Sequence, residues 1–218
     1  MNTEKKILSI ETSGELCSVA LLFSPEKFDE RNILMKHIHS EKLVPMIEEI
    51  LNSNEVKTND LDLIAVSNGP GSFTGLRIGM TATKGIAFAS NLPIVPVPTF
   101  DALALQISEY LNDASVFSIA NNANIEEAYF GKYKVSGSSF ITLTEATLIP
   151  KKEIDEYISE SDYVFGNLKF ISNIKNISSP TAVSIAKWTY FYGEDLLTFD
   201  YDYLEPNYLK KFKVKQKK

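Results

Sequence analysis

Residues 68–75, with the sequence NGPGSFTG, place the strongest restriction on how this chain can fold. The stretch holds three glycines and one proline and follows the apolar run at residues 61–66. Glycine accepts positive φ angles and proline favours a sharp turn, so the pattern predicts that a strand ends here and a helix begins. Ser72 or Thr74 is the expected N-cap of that helix, which should run from about residue 75 to residue 89.

This glycine loop permits two interpretations. Its members are Gly69, Pro70, Gly71, Ser72, Phe73 and Thr74. A helix N-terminus offers free backbone N–H groups, which suits an anion. The loop nevertheless lacks the lysine and the adjacent hydroxyl of the nucleotide-binding pattern GxxxxGK[ST]. The alternative is a tight structural crossover in which Phe73 packs as a plug, and the sequence leaves both interpretations open.

Apolar runs predict the order β-β-β-α-β-α-β for the first hundred residues. The expected strands are residues 6–13, 16–23, 33–38, 61–67 and 94–98. The first two lie on either side of Gly14 and should form a hairpin. After the third strand, apolar residues at helical spacing predict a helix over residues 40–51 with Ser40 as its N-cap.

The second half of the chain has a similar layout with fewer elements. Helices are expected at residues 99–111 and 180–192, and strands at residues 116–120, 128–135, 140–149 and 162–165. The overall order is typical of a ribonuclease H-like unit in an actin-type kinase. We therefore predict an α/β, two-lobed actin-like (ASKHA) fold with mixed sheets flanked by helices and a reduced second lobe. The lobes are assigned to residues 1–105 and 106–209, and a basic tail to residues 210–218.

The charge is distributed unevenly along the chain. The formal net charge is −6, yet six of the 22 basic residues are lysines within residues 210–218. The rest of the chain carries 16 basic and 28 acidic residues, a balance of −12. An acidic body disfavours a broad nucleic-acid platform, whereas the lysine tail suits non-specific contact with phosphate. The alternative for the tail is a solvated terminus.

The helix after the glycine loop carries small residues at steps of three and four, namely Gly75, Gly79, Ala82 and Gly85. Each helical glycine costs about 1 kcal/mol relative to alanine, so the pattern implies a compensating close approach of another backbone. The approaching element is either the first helix of the same chain or a pair of helices from another protein. The sequence does not separate the two.

Few residues suggest metal or thiol chemistry. His37 and His39 would share one face of an extended strand, with Glu41 as the local candidate for a third zinc ligand. Cys17 is the single cysteine and lies in an apolar run, so we predict a small buried residue without a disulfide. The apolar stretch at residues 7–10 is too short for a signal peptide or a membrane span, and we expect a cytoplasmic protein without membrane contact.

Residues 10–14 (IETSG) resemble the first phosphate-binding hairpin of actin-type kinases, in which an acidic residue helps to hold the metal. Glu11, Thr12 and Ser13 are accordingly the candidates for a vestigial nucleotide site. Glu15 adds a negative charge where a phosphate would approach, which opposes nucleotide binding. An ATP-binding kinase-type enzyme is the alternative function.

Several segments together resemble one protein family. They are residues 10–13 and 17–21 (IETS and CSVAL), 39–46 (HSEKLVPM), 69–79 (GPGSFTGLRIG), 127–129 (EAY) and 206–210 (PNYLK). The family is that of the bacterial threonylcarbamoyladenosine biosynthesis protein TsaB, also called YeaZ. The resemblance implies a non-catalytic paralogue of TsaD, with no catalytic residues, metal or cofactor of its own. TsaD-type proteins transfer a threonylcarbamoyl group to the adenosine next to the anticodon of ANN-decoding tRNAs.

In TsaD-type proteins an HxxxH motif holds the metal, whereas here His39 is followed four residues later by Leu43. The resemblance therefore implies that the metal-binding pair is absent. A second departure is Asn122-Ala123-Asn124, where family members commonly have Asp-Ala-Arg. The loss of both charges implies a lost ion pair or a lost contact with a nucleotide or a partner.

The resemblance also implies partners. The first two helices should pack with those of a TsaD-like subunit in a four-helix bundle, and a TsaE-like ATPase should join the complex. The predicted interface residues are Leu43, Met46, Ile47, Ile50, Gly75, Ile78, Gly79, Ala82 and Ile86. A homodimer through the same helices is expected when the partner is absent. Contact with tRNA would be indirect or through the lysine tail.

Overall fold

A computed structural model describes residues 5–159 and 162–209 of the chain. Its first sheet has five strands in the order β3-β2-β1-β4-β5. They are β1 (Ile7–Glu11), β2 (Leu16–Ser24), β3 (Lys27–Leu34), β4 (Leu63–Ser67) and β5 (Ile94–Val97). Strands β1, β4 and β5 run parallel, whereas β2 is antiparallel to both β1 and β3. This is the ribonuclease H-like arrangement that the sequence predicts.

Helices cover both faces of the first sheet. The alternation of side chains along β1 sends Leu8 and Ile10 to one face and Ile7 to the other. Helices α1 (His39–Ser53) and α2 (Phe73–Ser90) pack on the first face, and α3 (Thr99–Ser108) and α4 (Ala182–Tyr192) pack on the second. Every residue of β1 is buried as a result. Within the described ranges, no helix has the length and apolar character needed to cross a membrane.

The second sheet has four strands in the order β8-β7-β6-β9. They are β6 (Val116–Asn122), β7 (Glu127–Ser136), β8 (Ser139–Pro150) and β9 (Tyr163–Gly166). Helix α3 contributes Phe100, Leu103 and Ile107 to the core on one face of this sheet. The same helix contributes Ala102 and Leu105 to the core of the first lobe. It therefore lies between the two lobes and joins their cores, and the two-lobed α/β prediction is confirmed.

Helix α4 packs on the first sheet. The sequence predicts residues 106–209 as the second lobe, whereas Ile185, Ala186 and Trp188 of α4 lie in the core of the first lobe. Thr198 then pairs with Ile94 at the edge of the same sheet. The second lobe is thus an insertion between α3 and α4, because the chain returns to cover an apolar face that α3 leaves exposed. Residues 210–218, the predicted tail, lie outside the described residues.

Two predicted boundaries after β2 also need correction. Strand β3 spans Lys27–Leu34 rather than residues 33–38, because its pairing with β2 starts directly after the hairpin turn. Its exposed polar residues are those of an edge strand, which a search for apolar runs misses. Helix α1 begins at His39 with Ile38 in the N-cap position, so Ser40 is not the cap.

The buried cysteine agrees with its prediction. Cys17 is fully buried in β2, within the core beneath α1 and α2. Burial, assisted by the nearby Glu11 carboxyl, raises the pKa of its thiol to about 11. The thiol therefore stays protonated at neutral pH and serves as packing.

Candidate functional site at the glycine loop and the paired helices

The glycine loop leads from β4 into α2, and Ser72 caps the helix. The Ser72 hydroxyl accepts a hydrogen bond from the Gly75 N–H at 3.2 Å. The Ser72 N–H donates to the Ser13 carbonyl oxygen at 2.7 Å. Two of the N–H groups that an anion could have used are therefore satisfied within the chain. This favours the structural crossover over the anion site.

Glycine is needed in the loop because another backbone segment lies against it. A Cβ atom at Gly71 would lie 2.6 Å from the Ser13 carbonyl oxygen. A Cβ atom at Gly75 would lie 2.0 Å from the carbonyl oxygen of Thr12. The Thr12 hydroxyl also donates to the Gly75 carbonyl oxygen at 2.8 Å. The loop and the turn after β1 thus form one tightly joined unit.

The small-residue face of α2 belongs largely to this intramolecular contact. A Cβ atom at Gly79 would lie 2.4 Å from the Thr12 hydroxyl and 3.5 Å from Ile10. Gly85 differs, because a Cβ atom there would meet nothing within 4 Å. The close approach predicted from the glycines is therefore made mainly by the end of β1 in the same chain, and neither of the two predicted partners accounts for Gly75 and Gly79.

Several predicted interface residues prove to be core residues. Each of the following is at most 4% exposed: Leu43, Met46, Ile47 and Ile50. They are the apolar stripe by which α1 packs on the first sheet, and they leave little surface exposed in this fold. Ile78, Ala82 and Ile86 are partly buried and pack at the edge of that core.

The surface that a partner could reach is the outer side of the two contacting helices. It includes Val44 of α1, which is 53% exposed, and Phe88 of α2, which is 78% exposed. Thr81 and Gly85 are exposed on α2. We call Val44, Thr81, Ala82, Gly85 and Phe88 the helix face. Sequence reasoning missed Val44, Thr81 and Phe88. Their exposure could have been predicted, because the residues between the core-facing positions of a helix lie on its outer side.

The Glu11 carboxyl is buried, whereas a carboxylate that binds a metal in an open site is accessible. Its side chain is fully buried, and Oε1 accepts a hydrogen bond from the Ser13 hydroxyl at 2.6 Å as well as one from the Ser13 N–H. Burial raises the pKa of the Glu11 carboxyl to about 7, although the bonds from Ser13 oppose this shift. Thr12 is also buried. Of the three candidates for a nucleotide site, only Ser13 lines the cleft between the lobes.

The cleft between the lobes has a volume of about 850 Å³. The first lobe contributes Ser13, Lys36 and Ser72 to its wall, and the second lobe contributes Asn121, Asn167 and Ser178. Glu15 also lines the cleft and lies 3.3 Å from the Lys36 ammonium group. The carboxylate thus competes with any phosphate for the nearby cation.

His37 and His39 do not lie together on one face of a strand, which the zinc site considered from the sequence requires. His37 lies in a turn with a φ angle of 60°, and His39 begins α1. The His39 Nε2 atom lies 3.2 Å from the Leu16 carbonyl oxygen, which assigns this ring a structural contact. Across residues 5–159 and 162–209, no group of three His, Cys, Asp or Glu side chains is arranged to hold a metal ion.

The turn at residues 122–124 is held by amide groups. The Lys151 ammonium group donates to Asn122 Oδ1 at 2.6 Å and to the Asn124 carbonyl oxygen at 2.5 Å. Asn124 Nδ2 donates to Glu127 Oε2 at 2.7 Å. Asn122 and Asn124 thus both have hydrogen-bond partners within the second lobe. Asn122 and Ala123 also line the cleft between the lobes.

A segment that sequence analysis did not connect to the loop lies across it. The Asn207 N–H donates to the Asn68 carbonyl oxygen at 2.7 Å. The Tyr208 ring packs on Phe73 with centroids 5.0 Å apart, and Arg77 Nε donates to the Tyr208 hydroxyl at 3.0 Å. The Arg77 guanidinium also stacks 4.1 Å above the Phe73 ring. Phe73 therefore contacts both Arg77 of its own helix and Tyr208, although 40% of its surface remains exposed.

Comparison with known proteins agrees with this architecture. A family model described as "TsaD: tRNA N6-adenosine threonylcarbamoyltransferase" matches residues 33–188. YeaZ from Pseudomonas aeruginosa has a similar structure, with a TM-score of 0.79 at 24% identity, covering 94% of this chain and 100% of that one. The fold and the loop-to-helix site define a two-lobed, actin-like protein of the TsaD type.

Curated relatives identify the family within this class. TsaB of Haemophilus influenzae is 39% identical over 126 residues, 58% of this chain and 52% of that protein. TsaB of Escherichia coli is 32% identical over 149 residues, 68% of this chain and 64% of that protein. TsaB of Buchnera aphidicola subsp. Baizongia pistaciae is 34% identical over 161 residues and 72% of its length. The chain belongs to the TsaB family, also called YeaZ, and spans between half and two thirds of the first two relatives.

Proposed function

We propose that this chain is a non-catalytic subunit of the cytoplasmic machinery that forms threonylcarbamoyladenosine in tRNA, and that its helix face docks and activates a TsaD-like transferase. The printed names of the relatives, tRNA threonylcarbamoyladenosine biosynthesis protein TsaB, support the pathway. The docking proposal rests on the exposed helix face. It is formed by two adjacent helices whose inner sides are already committed to the core.

The chemistry of the helix face suits a helical partner. Phe88 offers an exposed aromatic anchor, of the kind that dominates the energy of many interfaces. Beside it, Gly85 and Ala82 project little from the helix, so a partner helix could pack closely there. A four-helix arrangement with two helices from each subunit would cover this apolar surface.

The arrangement around Glu11 supports a role without catalysis. A carboxyl group that is fully buried and bonded to Ser13 does not reach a metal-nucleotide in the cleft. Glu15 and Lys36 neutralise each other at the cleft wall. The alternative, an ATP-binding kinase-type enzyme, is supported by the size of the cleft, and it requires saturable ATP turnover that depends on Glu11.

Further partners follow from the same proposal. A TsaE-like ATPase would join the complex of this chain with its TsaD-like partner, and tRNA would meet the assembled complex. Without the partner, the helix face would pair with the helix face of a second copy. The molar mass of the purified chain over a concentration series distinguishes this homodimer from a monomer.

Gly85 offers a direct test of docking. Arginine at this position would project from the helix face into open space, and it would replace a helical glycine at no steric cost. We expect Gly85→Arg to reduce binding of the purified TsaD-like protein from the same organism at least tenfold, measured by calorimetry. Gly85→Ala is the matched control, and it should bind like the wild type.

Retention of full affinity by Gly85→Arg would overturn the helix face as the docking site. Gly79→Arg is unsuitable for this experiment, because position 79 faces Thr12 inside the chain. An arginine there would disturb the fold and would reduce binding for reasons unrelated to the surface. Thermal unfolding of both Gly85 variants establishes that any loss of binding occurs in a folded protein.

A further inference from the structure

We propose that Tyr201 positions the Phe88 ring for the partner, so that residues 198–208, here called the C-terminal segment, complete the docking surface. This inference rests on the proposed function, because it concerns the helix face at which a TsaD-like protein would dock. It adds to that face a residue that lies far from both helices in the sequence. Tyr201 is a positioning residue, since it acts through Phe88.

Phe88 is the largest apolar side chain of the helix face. It lies near the C-terminal end of α2, and 78% of its surface is exposed. An exposed aromatic side chain exchanges between rotamers, and fixing it in a complex costs conformational entropy. A ring that is held in one rotamer before the partner arrives lowers this cost.

The Tyr201 ring lies against Phe88. The two ring centroids are 6.3 Å apart and the ring planes meet at 80°, which is an edge-to-face arrangement. Aromatic pairs favour this geometry, because the positive edge of one ring meets the negative face of the other. The contact therefore favours one orientation of the Phe88 ring over the others.

Tyr201 is itself fixed to the end of α2. Its hydroxyl donates to the Leu92 carbonyl oxygen at 2.6 Å and lies 3.4 Å from the Ala87 carbonyl oxygen. The Ala87 oxygen belongs to the last turn of α2, where it accepts the N–H of Asn91. The Tyr201 ring also packs against the core of the first lobe. It thus has a defined position relative to the helical turn that carries Phe88.

The C-terminal segment is held on both sides of Tyr201. Before it, the Ile94 N–H donates to the Thr198 carbonyl oxygen at 2.8 Å, and the Thr198 N–H donates to the Ile94 carbonyl oxygen at 2.9 Å. After it, the Asn207 N–H donates to the Asn68 carbonyl oxygen at 2.7 Å. These bonds limit how far Tyr201 can move away from α2.

The competing role of Tyr201 is purely structural, because its hydroxyl satisfies a carbonyl group just beyond α2. Two substitutions separate the ring from the hydroxyl. Tyr201→Phe and Tyr201→Leu both remove the hydroxyl, and both keep an apolar side chain for the core. Only Tyr201→Phe retains the aromatic ring that contacts Phe88. A comparison of these two variants therefore measures the ring contact alone.

The test measures affinity for the purified TsaD-like protein from the same organism by calorimetry. We expect Phe88→Ala to weaken binding at least tenfold, as for an interface anchor. Tyr201→Leu should bind about three- to tenfold more weakly than Tyr201→Phe, which corresponds to the loss of one aromatic pair. In the Phe88→Ala background this difference should vanish, since the ring through which Tyr201 acts is absent.

Two results of the calorimetry would overturn the positioning role. One is an equal affinity of Tyr201→Phe and Tyr201→Leu. The other is a difference between them that persists unchanged in the Phe88→Ala background, because Tyr201 would then act independently of Phe88. Thermal unfolding establishes that each variant compared is folded.

The free chain provides a second measurement that needs no partner. The three-bond couplings of the Phe88 β-protons, measured by NMR, report how many χ1 rotamers the side chain occupies. We expect one dominant rotamer in the wild type and in Tyr201→Phe, and averaged couplings in Tyr201→Leu. Phe88→Ala identifies the signal by its disappearance. Averaged couplings in the wild type would overturn the proposal, because the ring would not be held before docking.

The positioning role and the docking proposal can fail separately. If Gly85→Arg and Phe88→Ala both bind like the wild type, the helix face is not the docking site and both proposals are wrong. If both variants lose affinity whereas the two Tyr201 variants bind equally, docking stands and the positioning role alone is wrong. If Gly85→Arg alone loses affinity, docking also stands, but Phe88 is not an anchor and the positioning role is overturned.

Discussion

The glycines of α2 have different surroundings, although the sequence presents them as one repeating pattern. Gly75 and Gly79 lie against the Thr12 backbone and hydroxyl, respectively, whereas Gly85 faces open space. Packing therefore requires glycine at the first two positions only. At Gly85 the usual penalty of a helical glycine remains, and no atom of the described residues lies within 4 Å of an added Cβ.

This difference predicts opposite effects of one substitution. Gly79→Ala should lower the free energy of unfolding by about 1–3 kcal/mol, because the added methyl group overpacks against the buried Thr12. Gly85→Ala should raise it by about 0.5–1 kcal/mol, because alanine restricts the unfolded chain and favours the helix. Urea denaturation of the two variants gives both values. If both substitutions changed the free energy of unfolding in the same direction, the different surroundings assigned to Gly79 and Gly85 would be contradicted.

The buried Glu11 predicts how stability depends on pH. Its carboxyl has a pKa of about 7 in the folded chain, against an ordinary value of 4.5, so the folded state binds more protons between these pH values. Stability should therefore fall as the pH rises through this window and should level off above it. Relative to Glu11→Gln, which lacks the titrating group, the wild type should lose about 2–3 kcal/mol between pH 5 and pH 8.

Urea titrations of both proteins at several pH values provide this measurement. Comparison with Glu11→Gln cancels the contribution of the other carboxyl groups. A difference between the two proteins that does not change with pH would show that Glu11 has an ordinary pKa in the folded state. It would also remove one argument against a role for Glu11 in nucleotide binding.

At the scale of elements, α2 serves three neighbours at once. Its inner side packs on the first sheet, its N-terminus is joined to the turn after β1, and residues 198–208 run from its C-terminal end to its N-terminal end. Its outer side carries the exposed residues of the helix face. A helix constrained in this way presents its outer side in a defined position, which lowers the entropic cost of docking.

The N-cap of α2 provides a prediction for this element. Ser72→Ala removes the hydroxyl that accepts from the Gly75 N–H, and it should lower the free energy of unfolding by about 1 kcal/mol. Thr74 is the other hydroxyl that the sequence offered as a cap. Thr74→Ala is the control, because Thr74 is exposed and the change should stay within about 0.5 kcal/mol. Equal losses in the two variants, measured by thermal unfolding, would contradict Ser72 as the cap.

At the scale of the whole molecule, the two lobes are interleaved along the chain. The first lobe is completed only by α4, which returns after the entire second lobe. The Ala182 N–H donates to the Ser18 hydroxyl at 2.8 Å, and the Ser9 hydroxyl donates to the Ala182 carbonyl oxygen at 2.7 Å. These buried bonds tie the start of α4 to β1 and β2. The first lobe is therefore not an independent N-terminal unit.

Truncation tests this interleaving. A chain that ends after residue 180 lacks α4 and leaves Ile7, Leu22 and Ala65 without their cover, so we expect it to lose cooperative unfolding. A chain that ends after Leu209 retains α4 and residues 198–208, and it should unfold like the full chain. Near-ultraviolet circular dichroism during urea titration reports the outcome. A cooperative transition in the shorter chain would contradict the assignment of α4 to the first lobe.

Local pattern was sufficient for much of this molecule. The strand that ends at the glycine loop, a cap at Ser72 or Thr74 and the order of elements all follow from neighbours in sequence, because turns and helix caps are determined by adjacent residues. The structure then selects Ser72. The periodicity also predicts the apolar stripe of α1 and leads to its interpretation as an interface, whereas in the structure it lies in the core of the first lobe. Periodicity shows that a stripe is buried without showing what buries it.

The sequence by itself thus determined the fold class, the position of the loop-to-helix crossover and the membership in the TsaB family. Only the tertiary structure decided that Thr12 packs against Gly75 and Gly79, that Glu11 is buried behind the cleft wall, and that α4 and Tyr208 return to the first lobe. These contacts join residues far apart in the chain. Which residues meet depends on how the whole chain folds, and a local pattern of residues does not show which distant residues will come into contact.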